Sequence, residues 1–222
     1  MTPADLRAAE IILFDLDGTI TDPGVGIRNG YRAAFAAVGQ TPPADAVIDS
    51  WIGPPLRQAF PQLGIALDDV EAAVAGYRSV YNETGWLENH VYDSMPEILA
   101  SLAAEGRTLA VATSKPQDLA ARILSHFGLD RYFAYIGGAS MDASRDSKAA
   151  VIAHVLRQLR SGPTVMIGDR EADVVGARKH DVPTIGVAWG YGSVEELNGA
   201  GAVAVAETPA ALAAMLIDTM PD

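Results

Sequence analysis

Residues 11–19 read Ile11-Ile12-Leu13-Phe14-Asp15-Leu16-Asp17-Gly18-Thr19. Four apolar residues with no polar interruption predict a strand buried on both faces, the kind found in parallel sheets. Two carboxylates spaced two apart follow at once, and then Gly-Thr. Extended geometry keeps Asp15 and Asp17 on one face only while the strand lasts. Past the strand end, both converge on the crevice at the carboxyl edge of an open α/β sheet, where ligands bind. Carboxylates crowded there repel; they invite a cation or push one of the pair to stay protonated. The residues therefore predict a metal-assisted site with one nucleophilic and one acid/base aspartate. The competing reading of the same residues is a strand end whose aspartate accepts turn amides.

Working outward, residues 24–86 contain no convincing β-run. They read as successive helices over 25–38, 44–52, 56–62 and 68–82, the last with Val70, Val74 and Tyr77 at helical spacing. Gly39, Pro42, Pro43 and Gly53-Pro54-Pro55 punctuate them. From Tyr92 the pattern alternates: helix 95–105, strand 108–112, helix 117–127, strand 132–136, helix 147–160, strand 164–167, helix 171–180 and strand 184–187. A short helix over 193–198, a strand over 202–205 and a helix over 209–219 close the chain. Strands alternating with helices imply a mainly parallel sheet covered on both faces. The fold class is α/β, with a core of residues 1–20 and 90–222 and an all-α cap of residues 21–89 inserted after the first strand.

Three later clusters carry chemistry. Thr113-Ser114-Lys115-Pro116 follows the apolar run 109–112. Serine and proline there make an ordinary helix start, but a lysine has the wrong sign for a helix N-terminus. A bound anion would reconcile the hydroxyls, the amides and the charge. Lys148 repeats the anomaly at the start of the helix through Val151 and Val155. Only three lysines occur in the chain, Lys115, Lys148 and Lys179, so two of the three at βα junctions carry weight. The third cluster, Val165-Met166-Ile167-Gly168-Asp169-Arg170-Glu171-Ala172-Asp173, ends a buried strand in carboxylates. Acids in a first helical turn suit the helix dipole. Gly-Asp directly after an apolar strand is better explained by metal ligation.

In order, these four elements resemble the signature motifs of the haloacid dehalogenase superfamily. The opening motif is similar to its Asp-x-Asp-Gly-Thr, and residues 168–173 to its Gly-Asp-x-x-x-Asp. The resemblance implies a Rossmann-like core carrying a helical cap and a phosphatase that works through an aspartyl-phosphate. Asp15 would be the nucleophile, Asp17 the general acid/base, and Lys148 the cation between carboxylate and phosphate. Thr113, with Ser114, Lys115 and Gly18, would hold the phosphoryl group. Mg²⁺ would be bound by Asp15, the main-chain carbonyl of Asp17, and Asp169, with Asp173 ligating it or orienting its waters. Arg57, after Gly53-Pro54-Pro55-Leu56, is similar to the family's specificity loop; Arg28, Arg32 and Arg78 are alternatives. The loop Gly186-Val187-Ala188-Trp189-Gly190-Tyr191-Gly192 looks like that of phosphoglycolate-phosphatase-like members. The overall resemblance favours phosphoglycolate as the substrate, with nucleoside 5′-monophosphates or a sugar-phosphate mutase reaction as the alternatives. Asp17 argues against dehalogenation, whose branch of the family generally lacks it.

Composition limits the alternatives. The 222 residues, 49% hydrophobic and 20% charged, suit a globular chain able to bury a sizeable core. No run approaches the roughly 18 apolar residues that span a bilayer, and residues 1–7 do not resemble a signal peptide, so cytoplasmic residence and no membrane are expected. The absence of cysteine excludes disulfides, thiolate zinc sites and cysteine nucleophiles. With 28 acidic against 16 basic residues, the net charge is −12, which disfavours nucleic acid. An anionic small phosphorylated metabolite needs a local cation to approach such a chain. The expected assembly is a monomer or homodimer. Tyr77, Tyr81, Trp51 and Trp86 read as cap core, and the four histidines, His90, His126, His154 and His180, which lack metal-ligand spacing, as structural or surface.

Overall fold

The computed structural model describes residues 6–140 and 144–217. The expected end of the last helix, at 218–219, lies outside them. The chain divides into two compact units, one of Met1–Thr21 with Val91–Asp222 and the other of Asp22–His90.

The first unit is built on a six-stranded sheet in the order β5-β4-β1-β6-β7-β8. Its strands are β1 (Ile11–Phe14), β4 (Thr108–Pro116), β5 (Phe133–Ala139), β6 (Thr164–Gly168), β7 (Thr184–Val187) and β8 (Ala204–Ala206). Every pairing is parallel, and Phe14 lies opposite Val111 on one side and Ile167 on the other. The chain builds outward from β1 to β5, then returns to β6 on the far side. That reversal makes a topological switch point, and it brings the carboxyl ends of β4, β1 and β6 side by side. The short strands β2 (Thr21–Asp22) and β3 (His90–Val91) pair where the chain passes between the units.

Alternation along β1 serves two layers at once. Ile11 and Leu13 pack with Ala110, Ala112 and Met166 against Val151, Ile152 and Val155 of α7 (Lys148–Gln158). Phe14 points the other way, its ring edge-on to Phe133 at 6.3 Å. Helix α5 (Met95–Ala104) buries Met95, Ile98, Leu99 and Leu102, the i, i+3, i+4, i+7 stripe of a helix on a core.

β4 runs four residues beyond the expected 112. Its register slips after Ala112 and resumes where Pro116 pairs with Ala139. Cross-strand pairing thus carries the strand up to the helix start, which falls at Gln117 as expected. Helix α6 (Gln117–His126) begins after Pro116 and has no side-chain cap, so Ser114 lies in a strand and does not cap the helix. Lys115 likewise belongs to β4, one residue before the N-cap Pro116 of that helix.

The second unit is helical: α1 (Gly24–Ala37), α2 (Asp45–Asp49), α3 (Leu56–Gln62) and α4 (Val70–Tyr81). Its centre is aromatic, with Tyr31 edge-on to Phe60 at 5.4 Å and to Tyr77 at 5.7 Å, and Tyr77 stacked on Tyr81. Trp86 is buried here too and Trp51 half-buried, as expected of core aromatics.

Candidate active site

The carboxyl edge of β1 fixes the first carboxylate. Asp15 follows Phe14, and its N–H donates to Ile167 O at 2.9 Å. The Leu16 N–H donates to Asp15 Oδ1 at 2.7 Å, which turns Oδ2 toward Lys148, 2.8 Å away. The turn closes at Gly18, whose φ of +82° suits a residue without Cβ, with its N–H on Thr21 O at 2.7 Å.

Lys148 opens α7 behind a capping Ser147, whose Oγ accepts from the Ala150 N–H at 3.3 Å. Its ammonium forms ion pairs with Asp15 Oδ2 and, at 2.7 Å, with Asp173 Oδ1, and donates to the carbonyl of Ala112 at 3.1 Å. Burial alone would favour the neutral amine, but the Asp15 and Asp173 carboxylates outweigh it and hold Lys148 protonated, above the usual lysine range.

Asp169 stands one residue past β6, and Asp173 in the first turn of α8 (Glu171–Arg178). Asp173 Oδ2 accepts from the Arg170 N–H at 3.0 Å. Asp169 Oδ2 accepts from the Tyr191 N–H at 2.8 Å, and its Oδ1 lies 3.4 Å from Thr19 Oγ1. Asp15, Asp169 and Asp173, all buried, each offer an oxygen within 4.8 Å of the other two. Burial pushes the Asp169 carboxyl well above the ordinary range, and the neighbouring Asp173 and Asp15 add to it. Burial raises Asp173 to about 6, with Lys148 opposing.

Asp17 takes the remaining lysine. Lys115 Nζ lies 2.5 Å from Asp17 Oδ2. Burial raises the Asp17 carboxyl, and Lys115 partly offsets it. Thr113 is buried at the end of the regular part of β4, its Oγ1 accepting the Lys115 N–H at 3.2 Å. Ser114 is half-buried beside it. Thus Asp15, Asp17, Gly18, Thr113, Ser114, Lys115, Lys148, Asp169 and Asp173 all sit at one edge of the sheet. Arg57 lies in the helical unit, where it forms a bidentate pair with Glu71 at 2.6 and 2.8 Å. Arg28 and Arg32 pair there with Asp49 and Asp45.

The donor set suits a hard divalent cation. Four carboxylates, Asp15, Asp17, Asp169 and Asp173, face two ammoniums, Lys115 and Lys148, and the formal excess of two negative charges is largely buried. Buried charge without a counter-charge is costly, and an all-oxygen cluster matches the ligand preference of Mg²⁺.

The glycines of the motif stretches make room for the carboxylates. A Cβ at Gly18 or Gly190 would overlap the Asp169 carboxylate, and one at Gly192 the Asp169 carbonyl. Gly168 makes the same room for Asp173, and Gly176 for the Lys148 stem. The Tyr191 amide is a main-chain donor that any residue but proline supplies; only the alternating glycines at 190 and 192 hint at a close approach. Trp189 Nε1 donates to Thr19 O at 3.2 Å, and its ring meets Tyr92 edge-on. Of the histidines, His154 bonds Tyr135 at 2.8 Å and His180 bonds Ala149 O at 2.9 Å, both structural positions.

The family model for haloacid dehalogenase-like hydrolases matches residues 12–187. A 5′-nucleotidase of Pseudomonas aeruginosa is 44% identical over 201 residues, covering 89% of this chain and 90% of that protein. The tyrosine-protein kinase PtkA of Mycobacterium tuberculosis is 41% identical over 191 residues; the match takes in 85% of this chain but only 65% of that protein's length. Among solved structures, a predicted phosphatase from Clostridium acetobutylicum superposes with a TM-score of 0.89 at 36% identity, covering 95% of this chain and 99% of that one.

Proposed function

We propose that this chain, which belongs to the haloacid dehalogenase-like hydrolase family, is a Mg²⁺-dependent phosphomonoester hydrolase that works through an aspartyl-phosphate on Asp15. The observation that carries the reading is Lys148 joining Asp15 to Asp173 by contacts of 2.8 and 2.7 Å. A nucleophilic carboxylate is thereby held beside a fixed positive charge and a carboxylate cluster with room for a cation.

In the first step Asp15 Oδ attacks phosphorus in line. The bond from phosphorus to the ester oxygen breaks, and Asp17 gives that oxygen a proton. In the second step Asp17 takes a proton from water as the water oxygen attacks the phosphorus of phospho-Asp15, releasing phosphate and the free carboxylate. Lys148 and Thr113 face the charge that develops on the phosphoryl oxygens. Asp15, the Asp17 carbonyl, Asp169 and Asp173 would hold Mg²⁺, which when bound neutralises phosphate charge and orients the group. The helical unit, residues 21–89 by the sequence reading, is the proposed cap that selects the leaving group, with Arg57 as a candidate contact.

Nucleoside 5′-monophosphates are the preferred substrate class, supported by the 44% identity to a 5′-nucleotidase over nine-tenths of both chains; phosphoglycolate is the alternative carried by the motif resemblance. Phosphate release from nucleoside monophosphates, phosphoglycolate and hexose phosphates, with Mg²⁺ or with EDTA, tests both. Chelator-sensitive release by the wild type and none by Asp15→Asn is the expected result. Release by Asp15→Asn overturns the covalent route. Bisphosphate-dependent isomerisation without net release would make the protein a mutase. Transfer from ATP to a tyrosine peptide, the activity for which the mycobacterial relative is named, would replace hydrolysis.

A further inference from the structure

The two buried lysines divide the carboxylates between them. Lys148 serves Asp15 and Asp173, while the Lys115 ammonium lies on Asp17 Oδ2 at 2.5 Å, the two side chains only 5% and 13% exposed. The irregular end of β4 makes this possible. Its register slips between Ala112 and Pro116, the Lys115 N–H turns back to Thr113 Oγ1, and β5 contributes a glycine at the closest approach. A Cβ at Gly138 would lie 2.5 Å from Lys115 O and 2.8 Å from Gln117 N. Lys115 is thus clamped through its own backbone as well as through its ammonium.

The pairing uses one oxygen of Asp17. The other, Oδ1, is buried and accepts a hydrogen bond from no group among the described residues. Native structures rarely leave such an acceptor unmet, and functional sites are where the exceptions gather. A carboxylate with one oxygen tied and the other uncommitted is oriented for proton exchange at the uncommitted atom.

We propose that Lys115 is a positioning residue for Asp17: it anchors Oδ2, so that Oδ1 carries the proton to the leaving-group oxygen and later accepts one from water, and it is not a ligand of the phosphoryl group. The inference rests on the phosphatase reading above. The first step, as Lys115 shapes it, moves one proton from Oδ1 to the ester oxygen while the P–O bond to that oxygen breaks; the second returns a proton from water to Oδ1.

Leaving-group dependence tests the proposal. An alkyl phosphate needs protonation of its leaving oxygen; 4-nitrophenyl phosphate does not. Because kcat/KM reports only steps through the first P–O cleavage, it isolates the donation by Asp17. Lys115→Met is expected to lower kcat/KM for glycerol phosphate by about 10²-fold or more, the scale of general acid catalysis, and for 4-nitrophenyl phosphate only a few-fold. Competitive inhibition by inorganic phosphate should be unchanged. Lys115→Arg, which keeps a donor for Oδ2, should recover part of the selective loss and serves in place of Lys115→Met if that variant does not fold. Equal losses on both esters, or phosphate inhibition weakened tenfold in Lys115→Met, would overturn the assignment. If the wild type cleaves neither ester, it is the phosphatase reading that fails. Calorimetric binding of inorganic phosphate with Mg²⁺ then decides the role of Lys115: unchanged affinity in Lys115→Met keeps the lysine off the phosphoryl group as proposed, and a tenfold loss overturns it.

Discussion

Lys148 Nζ lies 2.8 Å from Asp15 Oδ2, both side chains almost fully buried. Removing one member of a buried ionic cluster leaves the rest uncompensated, typically at a cost of about 3–5 kcal/mol. Lys148→Met is therefore expected to lose about 3 kcal/mol of stability at pH 8 and distinctly less at pH 5, where Asp173 can take up a proton instead. Urea denaturation at the two pH values checks the difference. Turnover should fall by about 10²–10³-fold, the usual loss for one fixed donor on a developing charge.

The raised carboxyls set the sign of the pH dependence without cation. Asp173 titrates at about 6 in the fold against an ordinary 3.8, so between those values the native state binds more protons than the unfolded chain. Stability then falls as pH rises. The contribution is fully present below 3.8 and lost as pH passes 6, worth on the order of 3 kcal/mol for a shift of this size. Asp169 and Asp17 are displaced in the same direction. Thermal scans in EDTA should show Tm declining from pH 4 to pH 6.5. Mg²⁺, which binds the deprotonated cluster, should flatten or reverse that slope.

The glycines around Asp169 give a prediction with an internal control. Gly190→Ala puts a methyl group into the Asp169 carboxylate, whereas a Cβ at Gly199 meets nothing within 4 Å. Gly199 lies inside α9 (Val194–Ala200), so Gly199→Ala should stabilise by up to about 1 kcal/mol through helix propensity. Gly190→Ala, whose Cβ would also overlap the Gly18 carbonyl oxygen, should cost about 1–3 kcal/mol of stability and weaken Mg²⁺ affinity by about 10–100-fold, as displaced supports of metal ligands do. Metal titration by calorimetry beside urea denaturation separates the two effects.

The catalytic strand ends were legible because strand chemistry is local. Ile11–Phe14, the end of β6 and the start of α7 stand where runs of apolar residues and a capping serine put them. The end of β4 was not legible. Ser114 and Pro116 carry a helix-start signal, and the helix does begin at Gln117, but the pairing of Pro116 with the distant Ala139 keeps the residues before it in the sheet. The partner of Lys115 was hidden for the same reason: an anion at a helix terminus accounts for a lone lysine in sequence, but a carboxylate 98 positions away claims it in the fold. Main-chain donors such as the Tyr191 amide leave no side-chain trace at all.

Within the helical unit, Gly76 decides between two opposing effects. It lies inside α4, where alanine is worth about 1 kcal/mol more than glycine. A Cβ there would sit 2.7 Å from Ala37 Cβ and 2.9 Å from Ala33 O on α1. The second of these contacts is backbone, which cannot rotate away, so the helices must separate or bend. Overpacking of this kind costs typically about 1–3 kcal/mol, enough to cancel or exceed the propensity gain. Gly76→Ala is therefore expected to be destabilising by about 1 kcal/mol, opposite in sign to Gly199→Ala. Gly76→Val, with a larger side chain and poorer helix propensity, should lose more. Parallel urea curves for the three variants test the ranking, and a stabilising Gly76→Ala would mean that α1 and α4 pack more loosely than these distances allow.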